Sequence, residues 1–231
     1  MRISVVIPTY NEKKRIGACI RSLRHQSLPP YEIIVADDES PDGTAAIARK
    51  MGAKVVTVTK KRIAAGRQAG ARVARGEIIA CTDADAVLDK NWLRELCAPF
   101  SDEKVVSTHG AVFLTDGNKL DEFACRWFLN PYFAASNALG LPSGAGSSMA
   151  VRASALKKIG GFDETLVTGE DVDVQRRIRR VGRTVFIGNA IASVSARRIR
   201  KWGYLKFFLF HFGNWLRILF GNPARAYERV R

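Results

Sequence analysis

Long apolar runs are missing from this chain: no stretch comes near the ~18 uninterrupted apolar residues that a membrane-spanning helix needs. Cysteine is scarce. Cys19, Cys81, Cys97 and Cys125 are far apart and show no C-x-x-C spacing, so buried free thiols are expected rather than a disulfide framework or a zinc site. The first residues run into a strand-like segment without a signal-peptide cleavage pattern, and no repeat or low-complexity segment interrupts the chain; these absences predict a cytoplasmic globular protein. Acidic residues are also in deficit, 22 against 37 Lys plus Arg, and the resulting charge of +15 favours a polyanionic partner such as phosphate, nucleic acid or an anionic membrane face. What remains is ordinary: 231 residues at 47% hydrophobic are enough for one large domain with a real core.

The first hundred residues alternate strand-like and helix-like stretches. Ile3 to Ile7, Glu32 to Ala36, Lys54 to Val58 and Glu77 to Thr82 read as strands, and approximately 12 to 26, 43 to 51 and 64 to 75 as amphipathic helices. That order predicts an α/β fold, a Rossmann-like and mostly parallel sheet with right-handed crossovers and helices on its faces. Pro8 is expected to end the first strand, since it lacks an amide donor, and the run from Asp37 to Gly43 ends the second in turn chemistry. Ligands of such sheets collect outside the carboxyl ends of the strands. Three ends then meet on one rim: Thr9-Tyr10-Asn11-Glu12, Asp37-Asp38 and Asp83-Ala84-Asp85.

Asp83 and Asp85 are separated by one residue. Carboxylates so close repel unless a cation lies between them and a partner, and hard oxygen donors suit magnesium or manganese. A nucleotide pocket fits the whole rim, with an aromatic beside the base, a carboxylate for a ring N–H or ribose hydroxyl, and a metal for the phosphates. Each piece alone also has a structural role, Asp85 in a solvated turn and Asp37-Asp38 as a helix cap.

Taken in order, Val5-Val6-Ile7-Pro8-Thr9-Tyr10-Asn11-Glu12, Asp37-Asp38-Glu39-Ser40, Ala65-Gly66-Arg67-Gln68-Ala69-Gly70, Ala74-Arg75-Gly76-Glu77, Asp83-Ala84-Asp85, Gly160-Gly161-Phe162-Asp163-Glu164 and Gly169-Glu170-Asp171-Val172-Asp173 resemble a family-2 glycosyltransferase of GT-A fold over roughly residues 3 to 200. The resemblance implies transfer of a sugar, with inversion, from a UDP- or GDP-sugar donor, assisted by a divalent cofactor, Mn2+ or Mg2+. It also implies that Pro8, Tyr10, Glu12, Asp38, Arg67 and Asp83 bind the nucleotide, that Asp85 with Asp83 binds the metal, and that Asp171 is the catalytic base. Glu170, Arg197 and Arg198 are candidates for acceptor or phosphate contacts. Two departures stand out. Ser195 takes the place of a histidine that completes the metal shell in many relatives. The run from Gln175 to Arg179 also fails the Q-x-x-R-W pattern of processive synthases at its last two positions, which favours transfer of a single sugar.

Ser143 to Arg152 is small and flexible before a strand-like run and is expected beside the donor sugar, with a tight turn as the alternative. Phe123 to Leu139, with Trp127, Phe128, Tyr132 and Phe133, is expected to be a helix packed on the sheet rather than an acceptor site. Residues 1–200 are thus read as the catalytic domain. Residues 201–231 are read as a tail in which Lys206, His211, Asn214 and Arg217 interrupt an apolar helix and put its polar side opposite Phe, Leu and Trp. Basic neighbours Arg197, Arg198, Arg200, Lys201, Arg225, Arg229 and Arg231 favour an anionic membrane surface and a lipid-linked acceptor such as a polyprenyl phosphate, reached peripherally from the cytoplasmic face. Docking on the protein's own core or on a second copy in a homo-oligomer is the other use of such a helix. Three other classes compete less well. A haloacid-dehalogenase-type phosphotransferase carries its D-x-D after the first strand, not the fourth, and a sugar-phosphate nucleotidyltransferase requires a Gly-rich loop where Pro8-Thr9-Tyr10-Asn11 stands. The third, a basic module binding nucleic acid or membrane without catalysis, would leave the ordered motifs unused.

Overall fold

A computed structural model describes residues 1–60, 62–220 and 224 of the chain. Lys61, Arg225, Arg229 and Arg231, counted above among the basic residues, lie outside the described residues. The first half is the expected alternation: β1 (Ile3–Thr9), α1 (Ile16–Arg24), β2 (Glu32–Asp37), α2 (Thr44–Lys50), β3 (Lys54–Thr57), α3 (Ile63–Val73) and β4 (Ile78–Cys81). β5 (Val87–Leu88), α4 (Trp92–Cys97) and β6 (Val105–Leu114) follow. A helical stretch then runs through α5 (Lys119–Ala124), a π turn (Cys125–Leu129) and α6 (Asn130–Ala138). β7 (Met149–Arg152), α7 (Ala153–Lys158), α8 (Glu170–Ile178), β8 (Arg183–Val194), α9 (Arg197–Trp202) and α10 (Tyr204–Leu219) complete the described chain.

The strands form one eight-stranded sheet in the order β3-β2-β1-β4-β7-β6-β8-β5. β3, β2, β1 and β4 are mutually parallel, and β7 enters antiparallel between β4 and β6. β6 and β8 pair in parallel through two register shifts. Both faces are covered, which is why β1 reads as a continuous apolar run rather than an alternating one. Val5 and Ile7 face Ile16, Ile20, Leu23 and Trp92, while Val6 faces the opposite layer of Ile79, Met149, Leu156, Val174 and Ile178. All four cysteines are buried and free, as expected.

Pro8 does not end β1. Its register continues through Pro8↔Ala36 and Thr9↔Asp37. The odd residues of β1 present their backbone groups to β2, as the bonds from Tyr31 N–H to the Ile3 carbonyl and from Asp38 N–H to the Thr9 carbonyl show, so the missing amide of Pro8 faces β4. Pairing with β4 stops at Val6↔Cys81 after the bond from Thr82 N–H to the Val6 carbonyl, where Pro8 has no N–H to continue it, so the proline ends the ladder on the β4 side while the β2 side runs on.

One expectation about the second half needs correction. Phe123 to Leu139 is helical but only partly packed on the sheet: Cys125 and Phe133 are buried, whereas Trp127 and Phe128 are 63% and 66% exposed. Arg176 and Arg177 pair with Asp173, and Arg179 donates to Asn137 Oδ1. The tail helix divides its surface. Asn214 and Ile218 are buried and Trp215 Nε1 donates to the Pro142 carbonyl at 2.8 Å, while Leu205, Phe208, Leu209 and Phe212 face outward. Among the described residues no helix is long and apolar enough to cross a membrane.

Close packing of α3 on β1 depends on two glycines one turn apart. A Cβ on Gly66 would come within 2.9 Å of Pro8 Cβ, and one on Gly70 within 2.3 Å of Val6 Cγ1. Gly70→Ala is therefore expected to destabilise the fold by about 1–3 kcal/mol through overpacking, a loss that urea denaturation monitored by circular dichroism will measure.

Candidate active site

Parallel pairing of β1, β2 and β4 puts their carboxyl ends on one rim, and the loops beyond them are joined. Asn11 N–H donates to Ser40 Oγ at 2.9 Å, and the Asp38 amide donates to the Thr9 carbonyl at 2.9 Å. Asn11 and Glu39 both hold φ of 55°, a left-handed conformation that turns each chain sharply out of its strand. Asp37 and Asp38 do not cap α2; that task falls to Asp42, whose carboxylate accepts from the Thr44 amide and hydroxyl. Asp37 instead accepts from Ser40 N–H, and Asp38 is buried beneath the rim. Pro8 lies on the rim strand, and Tyr10 stands half-buried just past it.

Beyond β4, Asp83 and Asp85 point into different partners. Asp83 Oδ1 accepts from Arg67 Nη2 at 2.9 Å. The same guanidinium, buried in α3, bonds through Nη1 to Glu170 Oε1 at the start of α8. Burial works against the Arg67 charge, but Glu170 and Asp83 outweigh it and push its pKa up. The Glu170 carboxyl is pushed up by burial, with Arg67 opposing and the Asp171 and Asp83 charges adding to the rise. Arg67 thus ties the rim to the loop that carries Asp171.

Asp171 is half-buried at the first turn of α8. Its Oδ2 accepts from Gly146 N–H at 2.8 Å and its Oδ1 from the Val172 amide at 2.8 Å. Gly146, within the segment 143–152 expected beside a donor sugar, therefore lies against Asp171. Gly169, with φ of 77°, makes the turn into α8, and a Cβ there would sit 2.3 Å from Ile218 Cδ1 and 2.7 Å from Asn214 Nδ2. α10 also brings His211 within electrostatic reach of Asp171; burial lowers the His211 pKa to about 4, so its ring is neutral at pH 7.

On the other side of the rim, Arg197 at the start of α9 forks onto Glu12, with Nη2–Oε1 of 2.5 Å and Nη1–Oε2 of 3.0 Å, and its Nη2 lies 3.0 Å from Asp85 Oδ2. Glu12 is buried in this bridge. Ser195, aligned above with a metal-ligating histidine, instead donates to Asp116 Oδ2 at 3.5 Å, and Asp116 also accepts from the Ala196 amide and Arg200. Arg198 stacks over Trp202, its guanidinium carbon 5.3 Å from the ring centre.

Sequence reasoning brought Asp83, Asp85, Glu12, Arg67, Glu170, Asp171 and Arg197 into one list, and the fold brings them around one rim. It missed Asp116, and it named Gly146, His211 and Asn214 without placing them beside Asp171 and Gly169. A backbone amide carries no side-chain signal, and the other three act through contacts at least 40 residues away in sequence.

No group of three or more His, Cys, Asp or Glu gathers into a metal shell among the described residues. The donor set nevertheless fits a hard divalent ion of the kind that is held by one or two carboxylates and completed by substrate phosphates and water. Asp85 has a pKa raised from 3.8 to about 6, by burial first and then by Asp83 and Glu12, with Arg197 opposing. A carboxyl that prefers its neutral form in the folded state takes stability away as pH rises from about 4 to about 6. Asp85→Asn is therefore expected to raise stability at pH 7 by about 1–3 kcal/mol, up to the ~3 kcal/mol of a two-unit shift in which the Arg197 attraction is already included. Chemical denaturation with chelator at pH 4 and pH 7 will show the gain at pH 7 only.

With this geometry in view, comparison with other proteins is specific. The structure resembles a mannosyltransferase from Pyrobaculum calidifontis solved with GDP-Man and Mn2+, with a TM-score of 0.76 over 95% of this chain and 63% of that one at 23% identity. In sequence the chain is 26% identical over 194 residues to glycosyltransferase AglE of Haloferax volcanii, covering 78% of this chain and 62% of that one. It is 28% identical over 194 residues to beta-monoglucosyldiacylglycerol synthase of Trichormus variabilis, covering 76% and 41% respectively. The chain spans less than two thirds of each of these proteins. Residues 4–160 match the family model described as Glycosyl transferase family 2, and with that match over more than half its length the chain belongs to glycosyl transferase family 2.

Proposed function

We propose that this chain transfers a single sugar, with inversion, from a UDP- or GDP-sugar to an acceptor presented at a membrane surface. The observation that carries this reading is the Arg67 bridge, which joins the D-x-D carboxylate Asp83 to the helix start bearing Asp171. Donor and acceptor machinery thereby share one rim. Tyr10 and Asp38 would contact the base and ribose beside Pro8, and Asp85 with Asp83 would hold a divalent ion. When bound, such an ion supplies Lewis-acid stabilisation of the leaving diphosphate. Asp171 takes the proton from the acceptor hydroxyl; its hydrogen bonds from Gly146 and Val172 fix the carboxylate orientation while leaving lone pairs for that hydrogen bond. The Pyrobaculum protein, bound to GDP-Man and Mn2+, supports the donor class.

Asp171→Asn is expected to keep nucleotide-sugar binding by calorimetry and to lose transfer to a hydroxyl acceptor by at least about a hundredfold, within the range of general-base catalysis. Turnover on that acceptor within about tenfold of wild type would remove the base assignment, a barrier change of only about 1.4 kcal/mol.

The membrane reading rests on exposure. Leu205, Phe208, Leu209 and Phe212 lie on one face of α10, and Leu120, Phe123, Trp127 and Phe128 form a second apolar surface on the α5 stretch, which Tyr204 joins to the tail through a 2.6 Å bond to Asp121. Lys206 and Arg198 both lie over the Trp202 ring at the tail's start, and cations there suit anionic headgroups. The name of the Trichormus relative, a glucosyldiacylglycerol synthase, supports a lipid acceptor. Residues 201–231 then serve as the docking tail of a catalytic domain formed by residues 1–200. Because α10 also packs on α8, point changes test this better than truncation: Phe208→Glu with Leu209→Glu is expected to lower flotation with anionic liposomes at least about fivefold at low salt. Equal flotation of wild type and variant would overturn the docking face.

A further inference from the structure

We infer that Arg197 is a resident counter-ion of the D-x-D site, holding Asp85 until a nucleoside diphosphate and a divalent ion enter together. The inference rests on the proposed metal role of Asp85. Glu12, Asp83 and Asp85 concentrate negative charge on one rim, and Arg67 is already divided between Asp83 and Glu170. Arg197 bridges the rest, forked on Glu12 and touching Asp85 Oδ2 at 3.0 Å. Ser195 is turned to Asp116, so this segment gives Asp85 a cation rather than a ligand.

A guanidinium at hydrogen-bond distance from Asp85 Oδ2 and a metal ion about 2.1 Å from that carboxylate would compete for one charge and repel each other. The ion alone must therefore break the Arg197–Asp85 contact. The fork on Glu12 keeps Arg197 tethered when that contact breaks. A diphosphate arriving with the metal then offers the released N–H groups a new anion, and guanidinium binds phosphate well in two-point fashion. Arg197 thus couples the two ligands: each pays less for binding when the other is present, and the coupling is reciprocal.

The test is titration of the full chain with MnCl2, without and with saturating UDP or GDP, read by Mn2+ paramagnetic resonance and calorimetry. Wild type is expected to take up Mn2+ weakly alone and at least about tenfold more tightly with nucleotide. Arg197→Met should tighten Mn2+ binding without nucleotide by about tenfold and shrink the nucleotide enhancement by a similar factor. Arg197→Lys keeps the charge but cannot bridge both carboxylates, so it should move both quantities in the same direction by a smaller factor; it decides the matter if Arg197→Met does not fold. A folded variant of either kind with wild-type Mn2+ affinity in both arms, or with Mn2+ binding weakened in both, overturns the counter-ion role while leaving the metal site standing. Absence of Mn2+ uptake by wild type with either nucleotide removes the metal assignment of Asp85, and the coupling falls with it.

Discussion

The rim of this sheet collects more carboxylate than it can hold unaided. Glu12, Asp83, Asp85, Glu170 and Asp171 come from three separate chain segments, and two arginines from helices outside the sheet pair with four of them. Arg67 and Arg197 are both largely withdrawn from water, and in such pairs removal of one partner costs about 3–5 kcal/mol because it strands a charge. The arrangement is therefore held by mutual need: each arginine is tolerable inside the protein only because two acids meet it. Arg67 fixes the distance between the end of β4 and the start of α8, and Arg197 fixes that between the end of β1 and the start of α9. A site built this way is pre-organised for charge, since Glu12, Asp83, Asp85 and Glu170 already face a cation and Asp171 two backbone amides before any ligand arrives.

Much of this was legible in the sequence because it is local. The strands of the parallel half announce themselves by short apolar runs, and their polar endings name the rim without any knowledge of packing. Asp83 and Asp85 could be assigned to that rim because β4 is only four residues long and stops just before them. Pro8 was misjudged for a reason that sequence alone cannot expose. Whether a missing amide ends a strand depends on which neighbour it faces, and here only the β4 side stops while the β2 side carries β1 on to Thr9.

The second half was harder, because its signals depend on pairing partners far along the chain. β7 reads as an ordinary strand, yet it lies antiparallel between β4 and β6. The bond from Gly146 to Asp171 follows from that placement, since the loop before β7 is delivered beside the start of α8. The aromatic stretch misled for a different reason. A run with Phe123, Trp127, Phe128 and Phe133 resembles a core helix by composition, but the π turn shifts the angular spacing, so Phe133 turns inward and Trp127 and Phe128 outward.

The same division of surface explains why the tail is not an appendage. A helix that only docked on a partner would be free to leave, and one that only completed the core would bury its aromatic side chains. α10 does neither alone. Its Asn214 and Ile218 fill the space beside Gly169, where the absence of a side chain and the left-handed backbone together allow the close approach. One turn earlier His211 stands near Asp171 as a neutral ring, since loss of hydration first and the Arg198 charge next disfavour the imidazolium more than Asp171 favours it. Whatever occupies the outward face of α10 therefore bears on a rigid element that touches the turn into α8. Because side chains three and four apart share a helix face, a shift of the outward stripe by one turn would carry the inward stripe off Gly169 as well. The position of the loop that carries Asp171 and the position of the exposed apolar face are in that sense one structural variable.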